Sequence, residues 1–232
     1  YGGFGQLVQV PEKWVIPLPN NLTLLNCMSL GTAGLTAGAC VKKILDASPS
    51  LNNPILVSGA TGGVGSVAVN LLSKLNFEVH AITGKPNETE ILKKMGASEI
   101  IDRHKFIADP VKPLDKAIYS AGVDTVGGDI LSKMLSMISS HGSVACCGNV
   151  GGMKFTSSVF PFILRGISLI GIDSAESDID FKKQIWSLFS ENWSLNLDDY
   201  SKVVKLADIE NEIKAILNGE QIGRVVIKHG DL

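Results

Sequence analysis

The sequence is poor in the features that mark secreted, metal-binding or polyanion-binding proteins. Its 232 residues include only four cysteines and four histidines, and no two cysteines are separated by two residues. Neither a structural zinc site nor a disulfide framework is therefore indicated. The 21 basic and 23 acidic residues give a formal net charge of −2 without a basic stripe. This balance disfavours binding to nucleic acid or to an anionic membrane.

Long apolar runs and a secretory signal are also missing from the sequence. We find no stretch of about 18 uncharged apolar residues, and the first residues lack the charged and apolar regions of a signal peptide. These absences predict a cytoplasmic protein. The adjacent Cys146 and Cys147 lie on a predicted strand, where successive side chains face opposite ways. They are interpreted as small buried residues rather than as a redox pair.

A glycine-rich segment, GATGGVG at residues 59–65, is the most informative feature that the sequence does contain. It lies between a strand-like run at residues 55–58 and a helix-like run at residues 66–75. A glycine turn lets the backbone approach a pyrophosphate, and the helix that follows offers free N–H groups and a positive dipole end. The spacing is GxxGxxG, and the strand–turn–helix context favours a dinucleotide site over a simple turn.

Strand-like and helix-like segments alternate over residues 55–172. Strands are predicted at residues 55–58, 78–83, 99–101, 121–126, 143–147 and 167–172. Helices are predicted at residues 66–75, from a cap at Asn87 to a stop at Gly96, and at residues 128–139. The alternation predicts an α/β fold, a doubly wound parallel sheet of the Rossmann type with helices on both faces. Four loops then converge on a ligand at one sheet edge, residues 59–65, 83–85, 126–128 and 148–152.

The end of the second strand indicates which dinucleotide is bound. An NAD site needs a carboxylate there to accept hydrogen bonds from the adenosine ribose. The sequence has Thr83, Gly84 and Lys85 instead, which suits a 2′-phosphate and so favours NADP(H). Arg103 ends the next strand on the same edge and supplies a second cation. A solvated surface role remains the alternative for both Lys85 and Arg103.

The segments on either side of this sheet follow a different pattern. Residues 1–19 contain three prolines and alternating apolar residues, which predicts short antiparallel strands and turns from the end of another domain. A helix over residues 31–45, with Thr36 near its start, leads into the sheet. After Ser174 we predict a helix at 180–191, a strand at 201–206, a helix at 208–217 and a strand at 225–228.

Four runs of residues resemble the medium-chain dehydrogenase/reductase superfamily. They are GTAGLTA at 31–37, VSGATGGVGS at 57–66, VDTVG at 123–127 and PFILR at 161–165. PFILR, together with GIDS at 171–174, resembles the acryloyl-CoA reductase branch, whose members are often labelled quinone oxidoreductases. The resemblance covers essentially the whole chain. It implies a Rossmann domain at 31–174 and parts of a GroES-like catalytic domain at 1–30 and 175–232, most of that domain preceding residue 1.

The resemblance implies a zinc-independent reductase that uses NADPH on an activated C=C bond, such as that of acryloyl-CoA, a quinone or an enone. Hydride would reach the β-carbon and a proton the α-carbon. The polar residues that stabilise the developing charge in this family lie largely in the part that is missing here, so no catalytic residue is assigned. Lys85 stands where the branch is expected to have arginine. The predicted cofactor-binding residues are Thr36, Gly59, Thr61, Gly62, Gly63, Val64, Gly65, Thr83, Gly84, Lys85, Arg103, Thr125, Gly148, Asn149, Ile163, Ser174 and Asn218.

Three other classes of nucleotide-binding protein compete with this one. A short-chain dehydrogenase needs a Tyr and a Lys four residues apart, and neither Tyr119 nor Tyr200 is followed by such a lysine. A zinc alcohol dehydrogenase needs Cys and His ligands that this stretch lacks. A noncatalytic NADPH-binding protein, with a crystallin-like or sensor role, remains the serious alternative. For Asn149 and Asn218, an ordinary role at a turn or helix end is nearly as good an interpretation.

The last predicted strand of the sheet, residues 167–172, has the apolar sequence ISLIGI. An exposed apolar edge favours pairing with another strand. We therefore expect a homodimer formed edge to edge, which the family resemblance also implies. The alternative is that the C-terminal helices of the same chain cover this edge.

Overall fold

Most of the chain folds around one six-stranded parallel sheet. The structure is a computed structural model that describes residues 3–197 and 201–230. The strands are β1 (Ile55–Val57), β2 (Val79–Thr83), β3 (Glu99–Asp102), β4 (Tyr119–Asp124), β5 (Ile138–Cys146) and β6 (Ser168–Gly171). They lie in the order β3-β2-β1-β4-β5-β6, and every neighbouring pair is parallel. This arrangement confirms the predicted doubly wound fold.

Helices cover both faces of the sheet and bury its central strands. They are α1 (Leu24–Asp46), α2 (Gly63–Lys74), α3 (Thr89–Lys94), α4 (Arg103–Phe106), α5 (Gly128–Met137), α6 (Phe160–Arg165), α7 (Ile179–Ser190) and α8 (Ile209–Leu217). All residues of β1, β2 and β4 are buried. One apolar core contains Ile55 and Val57 together with residues of α1, α2 and α7. A second core contains Leu56 and residues of α5, because successive strand residues face opposite ways.

The strand order places a crevice at the carboxyl ends of β1 and β4. From β1 the chain continues to β2 and β3 on one side, and from β4 it continues to β5 and β6 on the other side. The loops that follow β1 and β4 therefore diverge from each other. Ligands of open α/β sheets bind at such a switch point. The glycine segment predicted to bind phosphate follows β1 and leads into α2, so it lies at this point.

Helix α1 begins seven residues before the predicted start. Thr23 and Asn26 form a capping box, in which the Asn26 N–H donates to Thr23 Oγ1 at 3.1 Å and the Thr23 N–H donates to Asn26 Oδ1 at 3.0 Å. Gly31, with a φ of 51°, kinks the helix. The helix is long and apolar enough to cross a membrane, so the expected lack of such a run was wrong, but half of it is buried within the fold.

Three local predictions differ from the structure. Residues 3–23 contain no strand, and their one regular element is a short 3-10 turn, Glu12–Trp14. The mostly exposed segment 3–19 is broken by prolines and has no partner strand among the described residues. Residues 1 and 2 lie outside the described part.

Asn87 does not cap α3, because Pro86 begins a 3-10 turn that delays the helix to Thr89. Strand β5 begins at Ile138, five residues earlier than predicted, where α5 ends.

A small second sheet follows α7. Strands β7 (Ser201–Lys205) and β8 (Arg224–Lys228) are parallel, and α8 connects them. The chain just before β8 returns to the glycine segment, because the Gly223 N–H donates to the Thr61 carbonyl at 3.1 Å. The C-terminal part of the chain therefore forms one wall beside the predicted phosphate site.

Candidate cofactor-binding site

The glycine segment forms a tight turn whose shape depends on the absence of side chains. Gly59 has a φ of 60°, which favours glycine. A Cβ on Gly65 would lie 2.8 Å from the carbonyl carbon of Gly59 and 2.9 Å from Cα of Ala60, so α2 packs directly on the turn. Gly62 caps α2 and is exposed, and no side chain among the described residues bonds to the first N–H groups of the helix. The helix N-terminus, with Gly63 and Val64, is thus open to an anion.

The end of β2 is joined to the glycine segment by a chain of hydroxyl contacts. Thr83 and Thr61 are both buried, and their Oγ1 atoms lie 3.3 Å apart. The Lys85 N–H donates to Thr83 Oγ1 at 3.0 Å, which fixes the start of the following loop. The structure thus brings together residues that are 22 positions apart in sequence.

Two cations lie beside this loop, as the sequence predicts. The Lys85 ammonium group is half-buried and donates to the Gln221 carbonyl of the C-terminal wall. Burial lowers the pKa of Lys85, and the nearby carboxylates of Glu88 and Glu220 oppose that shift. The Arg103 guanidinium lies over Gly84, where an added Cβ would come within 2.9 Å of Arg103 Cζ. The lack of a side chain at Gly84 therefore makes room for the Arg103 guanidinium.

Arg224 is a candidate site residue that the sequence reasoning missed. A Cβ on Gly31 would lie 2.9 Å from Arg224 Nη2, and one on Gly63 would lie 3.1 Å from Nη1, so the guanidinium lies between the kink of α1 and the first turn of α2. Its Nε is buried and has no hydrogen-bond partner among the described residues. Burial lowers the pKa of this arginine. The available signal was an arginine directly after Gly223, at the first position of a mostly apolar strand, because arginine is seldom buried without a partner.

A buried carboxylate shapes the loop after β4. Asp124 has no exposed surface. Its Oδ1 accepts hydrogen bonds from Ser58 Oγ at 2.7 Å and from the Val126 N–H at 3.2 Å. Its Oδ2 accepts a hydrogen bond from the Gly127 N–H at 2.9 Å. The Thr125 hydroxyl donates to the Ser58 carbonyl at 2.9 Å. These bonds tie the ends of β1 and β4 together. Neither Ser58 nor Asp124 was assigned from the sequence, although a carboxylate within an apolar strand was a usable signal.

The loop after β5 packs against the loop after β4. The Gly151 N–H donates to the Val126 carbonyl at 2.8 Å, and Gly127 and Gly152 form an isolated parallel bridge. Gly148 lies against the backbone of Thr125, where an added Cβ would collide. All four loops predicted to converge therefore lie at the same edge of the sheet.

The remaining predicted residues divide into two groups. Thr36 and Ser174 are brought together, with 2.6 Å between their Oγ atoms, and Asn149 lines an open cavity at the ends of β5 and β6. Ile163 is 69% exposed on α6, and Asn218 is exposed after α8. Within the described residues, no hydrogen bond joins the side chain of Asn218 to the crevice. The cofactor roles of all these residues remain predictions.

The arrangement fits a dinucleotide phosphate. One crevice is lined by an open helix N-terminus, by a half-buried arginine whose Nε has no partner, and by two further cations. Each of these groups stabilises a bound anion. A parallel sheet in this order, with a glycine turn at its switch point, defines the dinucleotide-binding class of α/β proteins. Within the described ranges, no group of three or more His, Cys, Asp and Glu residues could hold a metal ion.

Comparison with known proteins narrows this class to a family. The family model described as zinc-binding dehydrogenase matches residues 63–191. Acrylyl-CoA reductase AcuI of Ruegeria pomeroyi is 36% identical over 98% of this chain and 69% of its own length. The chain belongs to the medium-chain dehydrogenase/reductase superfamily, as the sequence motifs indicate.

Solved structures agree with this assignment. The yhdH oxidoreductase from Salmonella enterica, in complex with NADP, is similar with a TM-score of 0.95 and 34% identity, over 99% of this chain and 71% of that one. The Bacillus subtilis protein yhfP, with NAD bound, is similar with a TM-score of 0.91 and 40% identity, over 95% of this chain and 68% of that one. This chain is thus an oxidoreductase whose structural relatives bind nicotinamide dinucleotides.

Proposed function

We propose that this protein is an NADPH-dependent reductase of activated C=C bonds, with an enoyl thioester such as acryloyl-CoA as the substrate class and quinones or enones as further acceptors. The observation that carries the proposal is the set of cations around the glycine turn, Lys85, Arg103 and Arg224. Similarity to an acrylyl-CoA reductase supports the substrate class. When bound, NADPH would supply the hydride, and zinc would take no part.

The proposed roles of the residues follow from their positions. The N–H groups at the start of α2 would bind the pyrophosphate, with Arg224 beside them. Lys85 and Arg103 would bind the 2′-phosphate of the adenosine half through charge-assisted hydrogen bonds. The β4 and β5 loops would hold the nicotinamide half. On this proposal the catalytic polar residues belong to a GroES-like domain, of which residues 3–30 and 175–230 form part, in a cytoplasmic enzyme.

The test is consumption of NADPH, followed by its absorbance, when acryloyl-CoA, a quinone or an enone is added to the full-length gene product. We expect consumption above that of an enzyme-free control. A folded protein that binds NADPH but consumes none with any of these acceptors would overturn the reductase proposal. That result would favour the alternative, a noncatalytic NADPH-binding protein.

We also infer that the chain forms a homodimer through β6. This strand ends the sheet, and the neighbouring α6 carries exposed apolar side chains, including Ile163 and Leu164 at 69% and 62% exposure. An edge strand flanked by apolar surface favours pairing with a second copy. Light scattering at micromolar concentration should give twice the chain mass. A monomer mass would contradict this inference.

A further inference from the structure

The carboxylate of Asp124, the last residue of β4, is fully buried and surrounded by hydrogen-bond donors. Its Oδ1 accepts from the Ser58 hydroxyl at 2.7 Å and from the Val126 N–H at 3.2 Å. Its Oδ2 accepts from the Gly127 N–H at 2.9 Å and from the Cys146 thiol at 3.5 Å. An ionised carboxylate only accepts hydrogen bonds and has about four sites for them. These donors therefore match its acceptor sites, and none of them is a cation.

Asp124 also joins the loops that follow three strands. Ser58 comes directly after β1, and its Oγ accepts from the Thr125 N–H at 3.0 Å while it donates to Asp124. The Asp124 carbonyl accepts from the Cys147 N–H at 2.9 Å, where the loop after β5 begins. The loops after β1, β4 and β5 therefore meet at this one residue.

The loop after β4 needs an outside constraint to keep one conformation. Gly127 and Gly128 have φ angles of 73° and 57°, and glycine has many other accessible conformations. Added Cβ atoms on these glycines would lie 2.7 and 2.6 Å from carbonyl oxygens of the loop after β5, so the two loops touch through their backbones. The hydrogen bonds to Asp124 supply the constraint, because they hold the two peptide groups directly before Gly127.

We propose that Asp124 is a positioning residue for the nicotinamide half of the cofactor. The inference rests on the proposed function, which places that half at the loops after β4 and β5. Asp124 sets the separation of these loops from within the protein and does not touch the cofactor. Among the described residues, no hydrogen bond joins Asp124 to Lys85 or Arg103, which are proposed for the adenosine phosphate. Binding of the adenosine half should therefore depend little on Asp124.

Asp124→Asn changes the hydrogen bonding of the site while keeping the size of the side chain. The amide of asparagine has one oxygen and one NH₂ group, which is a donor. With the NH₂ group on one side it faces the Val126 N–H, and with the amide turned over it faces the Gly127 N–H. One backbone N–H of the loop is then buried without an acceptor, which is unfavourable. The loop after β4 should shift to relieve this contact.

The test compares two ligands by isothermal titration calorimetry of this chain and its variants. NADPH contains both halves, whereas adenosine 2′,5′-bisphosphate contains the adenosine half with its 2′-phosphate and no nicotinamide. Asp124→Asn should weaken NADPH about tenfold and the bisphosphate by less than about twofold. Ser58→Ala removes one donor to Asp124 and should give a smaller effect with the same preference between the ligands. A purely structural role would weaken both ligands equally.

Ser120→Ala is the matched control on the same strand. Ser120 is buried near the start of β4, away from the crevice, and its hydroxyl donates to the Asn53 carbonyl at 2.9 Å. Its substitution also removes a buried hydrogen bond, but it should leave both affinities at the wild-type level.

Equal weakening of the two ligands by Asp124→Asn, or wild-type affinity for NADPH in that variant, would overturn the inference while NADPH binding by the wild-type chain leaves the proposed function standing. A folded wild-type chain that does not bind NADPH would overturn both. Circular dichroism checks the fold of each variant. If Asp124→Asn does not fold, the ratio of the two affinities in Ser58→Ala decides in the same way.

Discussion

The two halves of the crevice carry different chemistry although one sheet builds both. The half formed by β1, β2 and β3 has two cations, Lys85 and Arg103, and Arg224 of β8 lies beside the open N-terminus of α2. The half formed by β4, β5 and β6 ends in loops 124–128, 146–152 and 171–174, which contain no lysine or arginine. Those loops carry glycines, hydroxyls, thiols and carboxylates instead.

This difference indicates how a dinucleotide would lie in the crevice. Charged phosphates are stabilised by cations and by free N–H groups, so the phosphate-rich adenosine half belongs with β1 to β3. The β4 to β6 half offers close-packed backbone and neutral polar groups, which suit an uncharged ribose and a ring. The glycine segment 59–65 lies at the boundary, where the pyrophosphate would cross. Substitutions in the two halves should therefore differ in their selectivity between NADPH and NADH.

The largest effect is expected at the boundary itself, from Gly65→Val. The new side chain would collide with the backbone of Gly59 and Ala60, which cannot move without opening the turn. We expect a loss of about 3 kcal/mol in the free energy of unfolding, together with loss of binding to both cofactors. Urea unfolding and a cofactor titration measure the two effects. The control Gly3→Ala, at an exposed position where an added Cβ meets nothing within 4 Å, should change neither.

Arg224→Met should weaken NADPH and NADH by the same amount, because both contain the pyrophosphate. The expected loss is about 2–3 kcal/mol of binding free energy. The unliganded protein should be no less stable than wild type, since the guanidinium Nε is buried without a partner and Met keeps the apolar stem. Paired titrations and urea unfolding check both statements. Selective weakening of NADPH would instead assign Arg224 to the 2′-phosphate.

Lys85→Glu should separate the two cofactors. It should weaken NADPH by about 1.5–3 kcal/mol and affect NADH far less, because only NADPH carries the 2′-phosphate. Lys94→Glu, an exposed charge reversal on α3, is the matched control and should have little effect on either cofactor. Equal weakening of NADPH and NADH by Lys85→Glu would disprove the assignment of Lys85.

The smallest effect is expected from Thr125→Val in the uncharged half. The substitution removes the hydrogen bond from the Thr125 hydroxyl to the Ser58 carbonyl, which is worth about 1 kcal/mol of stability. Any effect on affinity should be the same for NADPH and NADH. Thr125→Ser keeps the hydroxyl and should retain most of the stability in thermal unfolding. A change in cofactor selectivity would break the distinction between the two halves.

The fold was predictable from the sequence where local patterns agree with the tertiary structure. Every strand of the main sheet could be predicted from the glycine segment and from the alternation of strand-like and helix-like runs after it. The early start of α1 was missed because the capping residues Thr23 and Asn26 lie in a segment assigned to another domain. The strands expected in residues 3–19 do not form, because a strand must pair with a neighbouring strand. Alternation of apolar residues alone does not supply that neighbour.

The candidate site was predictable only where neighbouring residues form it. The motif at 59–65 and the cation at Lys85 follow strands and could be placed at the sheet edge by topology alone. Arg224 lies beside Gly63 only through a contact between residues 161 positions apart, which no local pattern encodes. Long-range packing, rather than motif spacing, therefore decides the parts of the site that the sequence did not reveal.

The most direct test is a side-by-side fluorescence titration of this chain with NADPH and with NADH, after circular dichroism has shown that the chain is folded. The account predicts tighter binding of NADPH, and a difference between the cofactors that Lys85→Glu removes. A folded chain that binds both equally, or binds neither, would contradict the assignment of the β1 to β3 half as a site for the adenosine phosphates.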